Sequence, residues 1–385
     1  MTQWDRIEVG LVLQGGGALG AYEWGAIEAL YAVMDELAAV RPVVLKAVTG
    51  VSIGAINGAC IVGSADRADA LRRLEALWRD LQLEAPFRRD LEFGWPGLSG
   101  FAPARDLSLF GLPGFYRPRP DFWNYQRWTS LYDTSPLYAT LNKHIDFDAI
   151  ARSDTTLVVT AVNVVDGDLK RFRNRADDGA SQADEVVPFA PEHVVASGSL
   201  APQFPWTESG GQHYWDGGIV DNTPIGDALG AFSDDDRVYR LVVVMNLFPL
   251  RIEKLPDNLL AVNERVQELR YGNRLRQDQT AAKTVNKLVR AIDALRSQLE
   301  QANIPINSDI AGVVAKAKSF KIANTVQIEL RDSDSLNEDS SAARDFSPET
   351  IARRRRIGRE SASKSLRAAL QDDKLIAAVG QHVDA

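Results

Sequence analysis

Little in this sequence can staple, span a bilayer or bind metal. Cys60 is the single cysteine among 385 residues, which excludes a disulfide within the chain and, with no CxxC pair, leaves no thiolate spacing for zinc. A reducing compartment fits, and Cys60 reads as core filler. Four histidines, His144, His193, His213 and His382, are too scattered to suggest a metal site, so no metal and no cofactor is expected. No apolar run approaches the roughly 18–20 residues that cross a bilayer, and Met1-Thr2-Gln3-Trp4-Asp5 lacks the basic and apolar regions of a secretory signal. The expectation is a cytoplasmic protein without a transmembrane segment, with peripheral membrane contact and non-classical secretion left open. Basic charge is also scarce: 44 Lys and Arg against 52 Asp and Glu give −8, which offers no field to gather phosphate backbones and argues against nucleic acid as a partner.

What is present is an ordinary globular composition, 45% hydrophobic and 25% charged, long enough for one large α/β domain or two smaller ones. Ile7 to Leu13 is a short apolar run, Ala18 to Ala39 is helical in composition, and Val43 to Val48 is a second strand pattern, which together predict a βαβ unit. After Ser52, residues Ile53, Ile56, Ala59 and Cys60 recur at helical spacing, and another helix is predicted from about Asp66 to Leu83. Thr155 to Val165 and Val238 to Leu247 are β-branched runs suited to buried strands.

Between about Phe87 and Tyr132 the pattern dissolves into Pro, Gly and aromatics, among them Phe93, Trp95, Phe101, Phe110, Phe115, Tyr116, Phe122, Trp123, Tyr125 and Trp128. Such an insertion either pins itself to the body or forms a cap over an apolar cleft, and both can hold together. From Asp257 to Leu299, apolar residues at three- and four-residue steps predict two long amphipathic helices packing back on the sheet. Thr325 to Leu330 is a late strand candidate, and Ser347-Pro348-Glu349 is favoured chemistry for starting a last helix. Its run Arg353 to Arg356 reads as a solvated face, or as a site for anionic lipid head groups.

Three motifs carry chemistry. Gly15-Gly16-Gly17-Ala18-Leu19-Gly20 follows a strand and opens a helix, where glycines let the backbone aim N–H groups at a negative charge. It also fits the G-x-G-x-x-G of dinucleotide binders, but the acidic residue that reading needs about twenty positions on is missing from Val43 to Val48. Gly50-Val51-Ser52-Ile53-Gly54 is a G-x-S-x-G between a strand and a helix, a tight turn that exposes a serine oxygen. A serine hydroxyl needs a base. Of the histidines only His382 follows the best acid, and it lies at the fraying C-terminus. The third motif supplies that acid: Asp216-Gly217-Gly218, a tight turn able to bring a carboxylate to the serine, although a plain Asp-Gly turn would look the same. Asp221, before Asn222-Thr223-Pro224, reads as a loop and helix-start device.

These three blocks in order, with Ala196-Ser197-Gly198-Ser199-Leu200-Ala201-Pro202 between the second and third, resemble the patatin-like phospholipase family over roughly Val9 to Pro224. The resemblance implies a three-layer α/β/α fold; to it the residues add a mostly parallel central sheet and, outside the span of the resemblance, an aromatic-rich insertion and a helical C-terminal extension. The chain is accordingly expected to divide into a catalytic domain over 7–250, with a possible cap at 87–132, and a mostly helical region over 251–385 packing on it. The resemblance implies Ser52 as nucleophile and Asp216 as proton acceptor, with Gly15, Gly16 and Gly17 as the oxyanion loop and Gly20, Gly50, Gly54, Gly217 and Gly218 as motif glycines. Many relatives carry arginine where this chain has Leu19, and often histidine near Glu23, which bears on head-group preference. The implied activity is hydrolysis of lipid acyl esters met at a membrane or micelle interface, without cofactor. Acyl transfer through the same dyad and a non-catalytic lipid- or protein-binding module are the alternatives, and a homo-oligomer is possible.

Overall fold

The computed structural model describes residues 4–83, 108–176, 184–235, 237–248, 250–252, 255–256, 259–302, 304–305, 307–318, 323–330 and 342–372. Strand β1 (Arg6–Leu13) passes through the glycine loop into α1 (Gly20–Ala38), and β2 (Val43–Gly50) is followed by α2 (Ile53–Val62) and α3 (Arg67–Asp80). Two short strands, β3 (Arg117–Pro118) and β4 (Tyr132–Asp133), precede α4 (Ser135–His144) and α5 (Phe147–Arg152). Next come β5 (Thr156–Asn163), β6 (Leu169–Arg173), β7 (Asp184–Val186), α6 (Pro191–Ser197), β8 (Thr207–Ser209), β9 (Gln212–Asp216), α7 (Ile225–Gly230) and β10 (Val238–Asn246). The C-terminal part adds α8 (Leu259–Gln301), α9 (Ser308–Lys318), β11 (Asn324–Glu329) and α10 (Pro348–Asp372).

Nine strands form one sheet with the path β11-β10-β1-β2-β5-β6-β7, with β9 paired to β5 and β8 to β9. From β11 to β5 all neighbours are parallel. β1 is buried from Ile7 through Leu13, the continuous apolar run expected of a parallel strand covered on both faces. Alternate residues serve the two layers: Val9, Leu11, Leu13 and Val243 join the large core beneath α1, α2, α3 and α10, whereas Val12, Val242 and Val244 pack with Ile225, Ala228 and Phe232 on the other face. The fold is therefore three-layer α/β/α with a mostly parallel sheet.

The insertion divides by residue. Phe115, Tyr116 and Tyr132 lock onto Phe204, with ring centroids 5.7 Å (Phe115), 5.2 Å (Tyr116) and 6.3 Å (Tyr132) from it, while Phe110, Trp123 and Tyr125 are exposed. Phe93, Trp95 and Phe101 lie outside the described residues.

Two expectations for the C-terminal region are corrected. The stretch predicted as two amphipathic helices is one, α8, of 43 residues. Its apolar positions Leu259, Val262, Val266, Leu269, Leu288 and Leu295 are exposed, whereas Val289 is buried and Leu275 joins the smaller core. The basic run of α10 is a solvated face only at Arg356. Arg354 is 1% exposed, Arg355 lies 3.7 Å over the Trp24 ring and donates to Glu28 at 2.8 Å. α10 starts as its sequence predicts, with Ser347 Oγ accepting the Thr350 N–H at 3.3 Å, and it crosses α1 at two glycines. A Cβ at Gly25 would fall on the Arg355 carbonyl oxygen, and one at Gly358 on that of Tyr22, so the backbones touch where a side chain would hold them apart.

Candidate active site

In β1 and β2, parallel neighbours, Leu13 stands opposite Gly50. The glycine loop and the Gly50–Gly54 turn therefore leave the carboxyl edge of the sheet side by side. β5 places the third motif. β2 uses one of its edges from Thr156 to Val159, and β6 occupies the other from Val158 to Val162. β9 pairs with Ala161 to Asn163, so it takes the edge that β2 has vacated. The two strands meet end to end, and Asp216, opposite Ala161, faces the turn at which the chain leaves β2.

Ser52 occupies that turn with φ 53 and ψ −121, the sole non-glycine residue at positive φ among the described residues. Such a conformation costs about 1–3 kcal/mol and is imposed by crowding: a Cβ at Gly54 would lie 2.6 Å from the Leu13 carbonyl oxygen, and one at Gly50 2.5 Å from that of Gly54. Ser52 remains half-buried. Its N–H donates to Ser197 Oγ at 2.9 Å, and Gly198 leaves room beside its hydroxyl, a Cβ there standing 3.9 Å from Ser52 Oγ.

Asp216 is 3% exposed. Its backbone N–H donates to the Ser199 carbonyl at 3.0 Å, and its carboxylate accepts the Gly218 N–H at 2.7 Å. Burial pushes the carboxyl up to about 7, while the Gly218 N–H and the Ser52 hydroxyl pull it back. Such a group changes charge near neutral pH, the range suited to a general base. From α8, Tyr271 stacks on Phe248 at 4.9 Å, and its phenol is pushed up to about 12 by burial and by the Asp216 charge.

In the glycine loop, Gly17 adopts φ 57 and packs against the Ala343 carbonyl, leaving no space for a Cβ. Gly15 departs from expectation: its N–H donates to Asn222 Oδ1 at 3.0 Å, while Asn222 Nδ2 donates to the Gly15 carbonyl at 3.1 Å. Its amide is thereby spent on the loop's own anchorage. Among the described residues no acceptor in the chain takes the N–H of Gly16, Gly17 or Ile53. Leu19 is buried in the core.

Sequence reasoning missed the supports beneath this loop. Asn222 lies six residues beyond Asp216 and carried no motif. Gln14 Oε1 accepts the Leu247 N–H at 2.8 Å and its Nε2 donates to Thr223 Oγ1. Glu23, fully buried, accepts the Gln14 N–H at 2.8 Å and Asn57 Nδ2 at 3.0 Å.

The histidines are engaged elsewhere. His144 Nε2 meets Asp80 at 2.8 Å, His193 Nδ1 accepts the Ala190 N–H, and His213 lies against Trp206; His382 lies outside the described residues. Asp221 accepts the Thr223 N–H at 3.0 Å, a local turn contact. Cys60 is buried, and burial pushes its thiol up to about 12. The described residues contain no group of three or more His, Cys, Asp or Glu suited to a metal ion, and no helix among them is long and apolar enough to cross a membrane.

An α/β/α sheet with a strained serine at its carboxyl edge and a buried carboxylate facing it has the form of a serine hydrolase. Residues 11–229, more than half of the chain, match the model of the patatin-like phospholipase family, and the chain belongs to that family. It is accordingly a serine hydrolase acting on lipid esters. Among solved structures, that of VipD from Legionella pneumophila is similar at 15% identity and a TM-score of 0.40, over 95% of this chain and 67% of that one. No curated protein matches the sequence.

Proposed function

We propose that this protein hydrolyses the acyl esters of lipids through an acyl-Ser52 intermediate, with Asp216 as the base. The observation that carries the reading is the buried Asp216 carboxylate facing Ser52 at a strained turn, with His144, His193 and His213 all engaged elsewhere. Asp216 takes the Ser52 proton as Oγ attacks the ester carbonyl carbon. The carbonyl electron pair moves to its oxygen, which the Gly16, Gly17 and Ile53 N–H groups receive, each donor worth about 2.7–4 kcal/mol in comparable sites. Collapse breaks the bond to the alcohol, which leaves with the proton from Asp216. Water, deprotonated by Asp216, then attacks the acyl carbon, and Ser52 Oγ departs with that proton. Gly15, Gly20, Gly50, Gly54, Gly217 and Gly218 shape the three turns.

Exposed Ile219 and Val220, directly after the Gly217-Gly218 turn, give the site an apolar rim suited to a substrate met at a membrane or micelle interface. The catalytic unit is 7–250, completed by β11 in the sheet and α10 on α1. The remaining C-terminal helices α8 and α9 lie beside it, and self-association through them is open to a sedimentation measurement.

An ester and phospholipid panel on wild type, Ser52→Ala and Asp216→Ala tests the dyad. Each substitution is expected to lower kcat by at least about 10³-fold, and an active Asp216→Ala protein overturns the assignment of the base. Failure of a fluorophosphonate probe to label Ser52 in folded protein favours a binding module instead. Free fatty acid as the sole product in the presence of lysolipid acceptors excludes acyl transfer under those conditions.

A further inference from the structure

We propose that Glu23 is a positioning residue of the oxyanion loop, clamping its entry at Gln14 and, through Asn57, its exit at Gly20. This rests on the reading of Ser52 as nucleophile and of the Gly16 and Gly17 amides as oxyanion donors. One carboxylate oxygen accepts the Gln14 N–H at 2.8 Å, immediately before Gly15. The other accepts Asn57 Nδ2 at 3.0 Å, and the same Nδ2 donates to the Gly20 carbonyl at 3.1 Å. Asn57 is itself fixed, since its Oδ1 accepts the Trp78 indole N–H at 3.0 Å. Both ends of the loop therefore hang from one fully buried carboxyl that touches no reacting atom.

A carboxyl is an unusual choice for such a clamp, because ionising it in the core without a cation is costly. The groups that face it are neutral: the Gln14 amide at the end of β1, Asn57 from α2, and the Trp78 indole of α3 behind Asn57. From α10, Arg355 and Arg359 engage Glu28 instead, and Arg354 donates to the Asp345 carbonyl. Burial pushes Glu23 up to about 8, with Asn57 and the Gln14 N–H pulling it back. Both carboxyl oxygens accept an N–H, so the ionised carboxylate is the form that holds the clamp closed, and protonation below that pH turns one oxygen into an O–H donor and slackens it. Since Asp216 must also ionise near pH 7 to act as base, activity rises through the Asp216 transition and again through that of Glu23.

The test is the rate of fluorophosphonate labelling of Ser52, together with hydrolysis of p-nitrophenyl butyrate, across about pH 5.5 to 10 in wild type and Glu23→Gln, with circular dichroism at each pH. Wild type is expected to rise in rate in two steps, the second between about pH 7 and 9, while remaining folded. Glu23→Gln keeps an acceptor for the Gln14 N–H but cannot ionise and sets an N–H donor against Asn57 Nδ2, so the second rise should vanish while the Asp216 step stays. Glu23→Ala should lower kcat about 10- to 100-fold with KM within about threefold, the effect of a misplaced loop. A second rise unchanged in Glu23→Gln, or a single rise in wild type, overturns the proposal. Should the variants fail to fold, hydrogen exchange of residues 14–20 in wild type decides: a rise between about pH 7 and 9 less steep than that of an unstructured peptide supports the clamp, and a peptide-like trend overturns it. Absence of labelling at every pH in wild type is a different signature, which sinks the nucleophile assignment as well.

Discussion

α8 and α10 are both long and charged, and both follow the catalytic motifs, yet they acquire opposite surfaces. α8 carries the leucines and valines and leaves many of them in water, with Leu259 76% and Leu288 59% exposed. α10 carries a run of arginines and buries one of them almost completely. Apolar content does not explain the difference; backbone approach does. Gly25 and Gly358 let α1 and α10 touch, and at that distance the Arg355 stem and guanidinium have no route outward except across Trp24 to Glu28. α8 meets the body near the site, where Tyr271 stacks on Phe248 and Arg265 donates to the Leu250 carbonyl, and over much of its length it relies on local helical bonds.

Four measurements press on that contrast. The largest effect is expected from Phe346→Ala at the entry to α10: Phe346 is buried against Trp78, with centroids 6.3 Å apart, and its loss should cost about 3–5 kcal/mol in denaturant unfolding. Gly25→Ala should cost about 3 kcal/mol, because the helices must separate to admit one methyl; a neutral result would mean that close approach does not hold α10.

Raising pH from about 5 to about 8 should lower Tm, since Asp216 and Glu23 are raised to about 7 and about 8 and both belong to the body that α10 covers. In that window the folded state holds protons that the unfolded state has released, so stability falls as pH rises. A calorimetric Tm that climbs instead would break the link between burial and these two groups. The smallest effect is expected on α8, where Leu288→Ser should change stability by no more than about 0.5 kcal/mol. A larger loss would show that its apolar stripe is covered in solution.

The same contrast marks how far the sequence could be read. Strand runs such as Ile7 to Leu13 and Val238 to Leu247 were legible because a parallel strand buried on both faces is apolar throughout. Ser347-Pro348 announced its helix start, and the three glycine-bearing motifs announced the site, because tight turns demand particular residues at fixed spacing. Asn222, Asn57 and Glu23 were not legible as supports. Their partners lie 207, 34 and 9 residues away respectively, and an amide or carboxylate at such a separation has no local pattern. The arginine run was misread for a related reason: a charge run looks solvated until the helix facing it is known.

By itself, then, the sequence determined most of the order of strands and helices, the serine turn, the Asp-Gly-Gly turn, and the membership of its motifs in one family. Tertiary structure alone decided that β2 and β9 share one edge of β5, which is what brings Asp216 to Ser52. It also decided which glycine amides stay open, Gly15 being tied to Asn222 while Gly16 and Gly17 are not. The physical reason is common to both. Turn chemistry is written in neighbouring residues, whereas strand register and buried hydrogen bonds join groups that only the folded chain brings together.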